Sequence, residues 1–252
     1  MSHTMLSETL PSAPANEPDM GFQRERERLH RQMLSAVSHD LKTPLASIIG
    51  SLEVYKRMKD KLSADKRTAL IGVALQEAYR LDNFIVNILD MARLENGMVK
   101  INREDVEIGA MLRNCLTRME GRLQGSSINM ESVSGVIQIT TDVVLLSRAV
   151  CLVLDNAVKY GGTPPAIRVE FGKNSGETAY IKVFDNGRGI PGEQMEKIFC
   201  KYTRLAREDQ QNAGTGLGLA IAQTIMGMLD GGIAASNGPA NGAVFTLHFP
   251  LA

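Results

Sequence analysis

A histidine and an aspartate stand side by side in "SHDLKTPLASIIG", residues 38–50, inside a stretch with the pattern of an amphipathic helix. The carboxylate of Asp40 can hydrogen-bond one imidazole nitrogen of His39, which fixes the tautomer and leaves a lone pair on the other nitrogen. An imidazole held in this way is a nucleophile. Thr43 follows one turn later, so its hydroxyl lies on the same helix face. The segment predicts a reactive histidine with an orienting carboxylate.

The apolar residues of this helix support an exposed position for the histidine. At 100° per residue His39 lies roughly opposite the apolar sector, so a core histidine is disfavoured. An idle surface histidine remains the alternative. The sector is formed by Leu34, Val37, Leu41, Leu45, Ile48 and Leu52.

Pro44 lies within the same helix pattern. It cannot donate a hydrogen bond to the carbonyl of Asp40, and its ring crowds that carbonyl. We expect the helix to bend just after His39, as a hinge beside the reacting side chain. The alternative is that the proline is merely tolerated.

A second group of candidate residues lies in the C-terminal half. In "LVLDNAVKYGG", Asn156 and Lys159 are three residues apart and share a helix face, with Tyr160 next to them. An amide oxygen and an ammonium group suit a hard cation and a phosphate. In "VFDNGRGIPGE", Asp185 ends a strand, and Gly187 and Gly189 allow the backbone to approach a ligand closely.

A third segment, "GTGLGLAIA", places Gly214, Gly216 and Gly218 at the start of a helix. Exposed N–H groups and the helix dipole favour phosphate there. Each of the three signals is weak alone, since the glycines could form a tight turn and the aspartate could cap one. The segment is not a Walker loop, and no strand directly precedes it as in a Rossmann fingerprint. The polar "TRLAREDQQNA" before it has the composition of a mobile lid.

The elements that must position these residues fall into two regions. A helix is predicted over 21–58, about 57 Å long at ~1.5 Å per residue, followed by the charged turn "KDKLSADK". Ser63 is a plausible N-cap for a second helix that reaches about Leu94 and stops before Gly97. Such a hairpin buries its apolar stripes more completely as a dimeric four-helix bundle.

The remaining chain alternates helices and strands. Helices are predicted over 108–123, 142–160 and 217–229, and "AIRVEFG" and "AYIKVFD" are predicted to be adjacent strands joined by "KNSGE". The final segment, from residue 231, is predicted to be hairpin-like. We therefore expect a disordered tag or linker over 1–20, a dimerisation and phosphoacceptor domain over 21–97 and an α/β nucleotide-binding domain over 98–252.

Composition excludes several function classes. The 252 residues carry 28 basic and 28 acidic side chains, so no global field points to nucleic acid or to a membrane surface. No apolar run approaches the roughly 20 residues that span a bilayer. The three cysteines have no metal-ligand spacing and indicate a reducing compartment.

Five motifs in order resemble the catalytic core of the sensor histidine kinases of two-component signalling. "SHDLKTPL" resembles the phosphoacceptor box, "LDNAVKY" the N box, "DNGRGI" the first G box, "IFCKYTR" the F box and "GTGLGLAI" the second G box. The sequence of the first motif and its continuation, "SHDLKTPLASIIG", together with "NILDMARLENG", is most similar to the Kdp-type sensor kinases. The resemblance covers roughly residue 24 to the C-terminus.

The resemblance implies a HisKA-type dimeric four-helix bundle followed by a GHKL (Bergerat) ATP-binding α/β sandwich. It implies phosphorylation of His39 from Mg-ATP, with Asp40 as the general base, and transfer to an aspartate of a response regulator. Thr43 would position water for a phosphatase reaction on the regulator. The chain would be the cytoplasmic core of a membrane-bound bacterial sensor whose sensor region lies outside this sequence.

The family's nucleotide contacts carry over to matching positions. By similarity, Asp185 would accept the adenine amino group and Tyr160 would pack on adenine. Asn156 would bind Mg²⁺ and Lys159 would meet phosphate. Phe199 would anchor the lid. The phosphates would face the loop of Gly214, Thr215, Gly216, Leu217 and Gly218, and Gly187 and Gly189 belong to the same site.

One position departs from the family pattern. Leu152 stands where a second asparagine usually lies one turn before Asn156, so magnesium coordination has one fewer polar contact. This leaves open a pseudokinase scaffold of the same fold. A third class, a GHKL ATPase of the chaperone or repair type, needs a water-activating glutamate at this position and does not explain His39.

Overall fold

The computed structural model describes residues 20–174, 177–203, 216–239 and 241–251, and within these ranges it leaves the side chains of 20–36 and of His39 undescribed. Residues 1–19 of the predicted linker lie outside the described residues. So do Gly214, Thr215 and most of the predicted lid.

Two long helices form the N-terminal part. Helix α1 spans Met20–Met58 and helix α2 spans Ala64–Glu95, which confirms the predicted hairpin. The hydroxyl of Ser63 accepts a hydrogen bond from the Lys66 N–H at 3.4 Å, as expected of an N-cap. Helix α1 continues through Pro44. None of the helices in the described part of the chain combines the length and hydropathy that a bilayer span requires.

The chain divides into two compact units, Met1–Leu81 and Asp82–Ala252. The division falls within α2, whose last turns therefore belong to the second unit. The remaining elements are β1 (Glu104–Glu107), α3 (Ile108–Arg118), α4 (Glu120–Leu123), β2 (Ser127–Ser132), β3 (Gln138–Thr141), α5 (Val143–Tyr160), β4 (Ala166–Lys173), β5 (Thr178–Phe184), α6 (Gly218–Met228), β6 (Gly232–Asn237) and β7 (Ala243–Pro250), with two 3₁₀ turns at Gly192–Gln194 and Lys197–Phe199.

The second unit is a two-layer α/β sandwich. Five strands form a mixed sheet in the order β2-β4-β5-β7-β6, in which only β2 and β4 are parallel. Inward side chains alternate with outward ones in β4, where Ile167, Val169 and Phe171 are buried while Arg168 and Glu170 face the other side. Strands β1 and β3 form a separate antiparallel pair.

Helix α5 lies at the centre of the buried layer. Its N-cap Asp142 accepts hydrogen bonds from the backbone N–H groups of Val144 and Leu145, both at 3.0 Å. The helix contacts α3, α6, β4 and β5. Its buried face comprises Leu146, Ala149, Val150, Leu152, Val153, Leu154 and Ala157. The element that carries Asn156 and Lys159 is therefore held along most of its length by the core.

The last turns of α2 are joined to α5 by one arginine. The guanidinium of Arg148 donates to the Asp90 carboxylate at 2.8 Å and to the Asn87 side-chain oxygen at 2.8 Å. All three side chains are partly buried. Charge-assisted bonds in such a setting are stronger than exposed ones, so this contact fixes the end of α2 within the second unit.

Some predicted elements need correction. The helix predicted over 108–123 is interrupted at Met119, whose backbone angles (φ −95°, ψ 1°) leave the helical region, and it continues only as the short α4. Strands β1, β2 and β3 were not predicted. The adjacent strands β4 and β5 and the terminal pair β6 and β7 are confirmed as antiparallel neighbours.

Candidate functional site

The carboxylate of Asp185 lies at the end of β5. Its Oδ1 accepts hydrogen bonds from the backbone N–H groups of Gly187 at 2.9 Å and Ala243 at 3.0 Å. No described residue donates to Oδ2. Asp185 lines a cavity between the sheet and the ends of α5 and α6, so its second oxygen is available to a ligand.

Burial of Asp185 raises its pKa above the usual value of 3.8, although the two N–H donors act in the opposite direction. Burial disfavours the charged carboxylate, whereas hydrogen bonds to it favour the charged form. A donor that approached Oδ2 would further stabilise the carboxylate. The site therefore favours a ligand that presents an N–H group to this oxygen.

Two asparagines that sequence reasoning missed hold the loops around Asp185. The Asn186 side-chain oxygen accepts from the N–H groups of Gly162 and Ala166, each at 2.8 Å. Asn237 binds both backbone groups of Ile190, each at 2.8 Å. The only sequence signal was an asparagine in a glycine-rich turn, which is too common to identify a partner.

The glycines after Asp185 are required by neighbouring backbone. A Cβ atom on Gly187 would lie 2.1 Å from the Tyr160 carbonyl oxygen. Gly189 has φ +74°, and a Cβ atom on it would lie 2.3 Å from the backbone carbonyl oxygen of Asn241. Both distances are far below van der Waals contact, so close packing of protein backbone explains the glycines. Gly189 also lines the cavity, whereas Gly187 is not among the lining residues.

The last turns of α5 bring Asn156, Lys159 and Tyr160 to the same cavity. The Lys159 ammonium lies 2.5 Å from the Asp155 carboxylate, which also faces Arg122 at 3.7 Å. Because the lysine side chain is 40% exposed, this ion pair can exchange for another anion at small cost. Asp155 was not predicted as a site residue.

The start of α6 lies beside the same cavity. Gly216 has φ +66°, and its carbonyl accepts from the Tyr202 N–H at 2.9 Å. Gly216 and Gly218 line the cavity, while Leu217 is fully buried and is not among the lining residues. The first N–H groups of α6 therefore open beside the cavity, where an anion is favoured.

The cavity combines apolar walls with polar and charged side chains. A flat apolar ring system with an amino group would fit between such walls. Phosphates could bind to Lys159, Arg188 and the N–H groups at the start of α6. The lining residues are Asn87, Leu152, Asp155, Asn156, Lys159, Tyr160, Asp185, Arg188, Gly189, Ile190, Ile198, Thr203, Gly216, Gly218, Leu219, Ala243 and Phe245.

Leu152 is both a core residue and a wall of the cavity. Its exposed fraction is 7%, and it belongs to the main hydrophobic cluster. A Cβ atom on Gly218 would lie 3.6 Å from its Cδ2, so the leucine packs against the start of α6. Packing in the core therefore explains a leucine at position 152.

The remaining predicted residues lie in other elements. His39 and Asp40 are adjacent in α1 of the first unit, and Thr43 follows one turn later. Asp40 is partly buried and Thr43 exposed, while the His39 side chain lies outside the described residues. Phe199 ends the second 3₁₀ turn, half-buried against the core.

Two family models match the chain. Residues 29–97 match the His Kinase A (phospho-acceptor) domain, and residues 141–252 match the domain described as histidine kinase-, DNA gyrase B-, and HSP90-like ATPase. Together the two models cover most of the chain, in the order that the five motifs predict.

Curated relatives include several sensor kinases. The sensor protein KdpD of Escherichia coli is 32% identical over 237 residues, which is 94% of this chain and 26% of the relative. The sensor protein DivL of Caulobacter vibrioides is 32% identical over 230 residues, or 90% of this chain and 29% of the relative. The chain thus spans about a quarter of the length of each.

Solved structures share the fold. The histidine kinase AdeS of Acinetobacter baumannii aligns with a TM-score of 0.64 at 22% identity, covering 84% of this chain and 98% of that one. The histidine kinase ThkA, solved in complex with the response regulator protein TrrA, aligns with a TM-score of 0.68 at 20% identity, covering 94% and 67%.

Proposed function

The chain belongs to the sensor histidine kinase family of two-component signalling, and we propose that it phosphorylates His39 from ATP and passes the phosphoryl group to a response regulator. The observation that carries this proposal is the cavity of the second unit. It unites a carboxylate with a free oxygen, apolar walls, a lysine and the start of a helix. These are the groups that adenine and a triphosphate need.

In the first reaction the lone pair of the His39 imidazole attacks the γ-phosphorus of ATP. The bond from that phosphorus to the β,γ-bridging oxygen breaks, and ADP leaves. The other ring nitrogen becomes more acidic as the attack proceeds, and its proton passes to Asp40. In the second reaction an aspartate carboxylate of the regulator attacks the phosphorus, and the phosphorus–nitrogen bond breaks.

On the nucleotide side, Asp185 accepts the adenine amino hydrogen through Oδ2. Tyr160 packs on the adenine ring, and Lys159 exchanges Asp155 for a phosphate. Gly216 and Gly218 face the phosphates, beside Gly189. Leu217 is buried in the core and Gly187 packs against protein backbone, so neither is a direct contact. Gly214 and Thr215, which lie outside the described residues, belong to the same phosphate loop by resemblance, and Phe199 anchors the lid.

The residues present fit a magnesium ion that is held mainly by phosphate. The described residues contain no cluster of three or more histidine, cysteine or acidic side chains that could form a cage. Asn156 lines the cavity and offers an amide oxygen, and magnesium usually combines few protein ligands with substrate phosphates and waters. When bound, the ion would neutralise phosphate charge. Leu152 contributes packing and no ligand.

The remaining assignments belong to the same proposal. We assign dimerisation and phosphotransfer to residues 21–97 and nucleotide binding to residues 98–252. Thr43 positions water to hydrolyse the regulator's aspartyl phosphate, and two copies of the hairpin form a four-helix bundle. A sensor region outside this sequence connects the cytoplasmic core to a membrane.

Labelling with γ-³²P ATP and magnesium tests the proposal. We expect a label that is stable in base and lost in acid, because a phosphoramidate has this stability and a phosphoserine does not. The variant His39→Gln should take up no label, whereas His248→Gln, on the exposed side of β7, should be labelled like the parent.

Calorimetry with a non-hydrolysable ATP analogue separates binding from transfer. His39→Gln should bind the analogue with unchanged affinity, since the cavity lies in the second unit. Acid-labile label on His39→Gln would show that another residue accepts the phosphate. Nucleotide binding without any label on the parent, tested with several receiver domains, would instead support a scaffold.

A further inference from the structure

Two free thiols meet between α3 and α5, outside the nucleotide cavity. Cys115 is 1% exposed and Cys151 is partly buried. The Cys115 sulfur lies 3.9 Å from the Ser147 carbonyl oxygen, which belongs to the helical turn that leads to Cys151. Each thiol acts on the pKa of the other, lowering it for Cys115 and raising it for Cys151. The facing helices therefore hold the sulfurs as neighbours.

One of the two sulfurs is reachable from solvent. Cys151 lines a surface groove in the second unit, whereas Cys115 does not. Three arginines, Arg93, Arg118 and Arg148, line the same groove. Arg148 is paired with Asp90, whereas within the described part of the chain neither Arg93 nor Arg118 forms an ion pair. A small oxidant can enter this groove and meet Cys151 before Cys115.

The charges around the pair favour a thiolate. The hydrogen bond from Cys151 and the positive charge of Arg118 lower the pKa of Cys115 to about 7, against the opposing effect of burial. When one of the two thiol protons is lost, the other is shared between the two sulfurs, so the pair as a whole carries one negative charge. A thiolate, and not a thiol, is the species that hydroperoxides oxidise.

We propose that Cys115 and Cys151 form a redox-modification site that hydroperoxides convert to an intramolecular disulfide. The inference does not depend on the proposed kinase reaction. In a reducing compartment such a disulfide is transient and sensing in nature, because cellular thiols return it to the dithiol.

The chemistry balances with the hydroperoxide as the only oxidant. The Cys115 thiolate takes up the Cys151 proton as the Cys151 sulfur attacks the outer peroxide oxygen. The oxygen–oxygen bond breaks, and an alkoxide or hydroxide leaves and takes up a proton. The sulfenic acid on Cys151 is then attacked by the Cys115 sulfur. A sulfur–sulfur bond forms and water leaves. In total, two thiols and one hydroperoxide give one disulfide, one alcohol or water, and one water.

The test uses the full chain with Cys200→Ser, because Cys200 is exposed and would add reactions of its own. The protein is treated with hydrogen peroxide, blocked with N-ethylmaleimide and measured by intact mass and peptide mapping. We expect a monomeric product lighter by two hydrogen atoms that takes up no maleimide. Dithiothreitol should restore two reactive thiols.

Two further variants assign the roles. With Cys151→Ser, Cys115 should stay reduced, because it has no path to solvent. With Cys115→Ser, Cys151 should stop at a sulfenic acid that dimedone traps. Melting curves show whether each variant is folded, and if Cys115→Ser does not fold, the parent and Cys151→Ser decide. Two free thiols after oxidation of the folded parent, or a disulfide between chains, would overturn the proposal.

Discussion

Asp185 divides its two oxygens between the protein and the cavity. One oxygen accepts two backbone N–H groups, and the other receives no bond from a described residue. A substitution can therefore change the oxygen that faces the cavity and keep the hydrogen bonds to the other oxygen.

The substitution Asp185→Asn should abolish most nucleotide binding and leave the fold intact. The amide oxygen can keep the bonds from Gly187 and Ala243, while the amide NH₂ then points a donor at the adenine amino group. Loss of a hydrogen bond to a charged group costs about 1.5–3 kcal/mol, or roughly tenfold to a hundredfold in affinity. Calorimetry with an ATP analogue measures it, with Asp230→Asn as the control at an exposed site. Unchanged affinity would exclude the proposed contact.

Nucleotide affinity should also fall on acidification, and earlier than for an ordinary aspartate. Burial raises the pKa of Asp185 above 3.8, so protonation of the free chain begins at a higher pH. Because the folded-state pKa is raised, the proton stabilises the fold at low pH and this contribution is lost as pH rises through the folded pKa. As the pH is lowered, nucleotide affinity therefore decreases, while the contribution of Asp185 to the free energy of unfolding does not. Fluorescent-nucleotide titrations, with circular dichroism at each pH, separate the two.

The glycines differ in how much they tolerate a side chain. Gly187→Ala should destabilise the fold by about 1–3 kcal/mol, because its methyl group would collide with the Tyr160 carbonyl. Gly227→Ala, in α6 with no atom near its Cβ position, should stabilise by up to ~1 kcal/mol. Urea unfolding of both variants measures the difference. Equal midpoints would mean that the loop after Asp185 relaxes to accept a methyl group.

The sequence predicted which residue types the site needs and could not predict what each one contacts. Asn156 and Lys159 were identified from their spacing and Asp185 from its place at the end of a strand, and all three line one cavity. The bonds of Asn186 and Asn237 join residues 20 or more positions apart, so no local pattern contains them. The pairing of Lys159 with Asp155 has the i,i+4 spacing of a helix ion pair, so the sequence carried this signal and it was overlooked.

Among the elements, α5 depends on a single cap. Asp142 binds the N–H groups of Val144 and Leu145 through one oxygen and that of Asn102 through the other, at 2.8 Å, and it is 6% exposed. Asp142→Ala should lower the free energy of unfolding by about 1–3 kcal/mol, since it removes the cap and leaves N–H groups unpaired. Chemical denaturation measures the loss. Asp105→Ala is the matched control. The Asp105 side chain is exposed and, among the described residues, accepts from the Thr140 hydroxyl alone, so its loss should change stability by about 0.5 kcal/mol or less.

Long periodic elements were predicted more successfully than short ones. The apolar pattern of α5 repeats over about five turns, which distinguishes a helix clearly from a strand or a loop. Strands β1 and β3 have four residues each, with at most two of them buried, so their period cannot be distinguished from a loop. The sheet order could not be predicted, because β2 pairs in parallel with β4 across the whole of α5, and local sequence does not encode which strands meet.

For the whole molecule, the two long helices leave apolar surface on a single chain. Leu45, Ile49 and Leu52 of α1 and Leu75 and Ile85 of α2 are each more than 40% exposed. Such stripes are expected to be covered by a second hairpin, because exposed leucine and isoleucine on one face are unfavourable in water.

The melting temperature should therefore rise with protein concentration, as for any fold stabilised by association. Ile85→Glu should give monomers or aggregates, since the interface would bury an unpaired charge. Gln76→Glu, at an exposed position of the same helix, should leave the dimer unchanged. Light scattering at micromolar concentration distinguishes the species. A monodisperse monomer of the unmodified chain would contradict the four-helix bundle.

Leu152 has a consequence for selective inhibition. Its methyl groups lie on the cavity wall and against the start of α6, at a position where the family pattern usually has an asparagine. A competitive compound that carries a small alkyl or halogen substituent toward this wall would displace no ordered polar partner here. In a kinase with the amide, the same substituent would leave the amide without a hydrogen bond, which is unfavourable. Leu152 thus offers medicinal chemistry a way to discriminate this enzyme from others that share its adenine contacts.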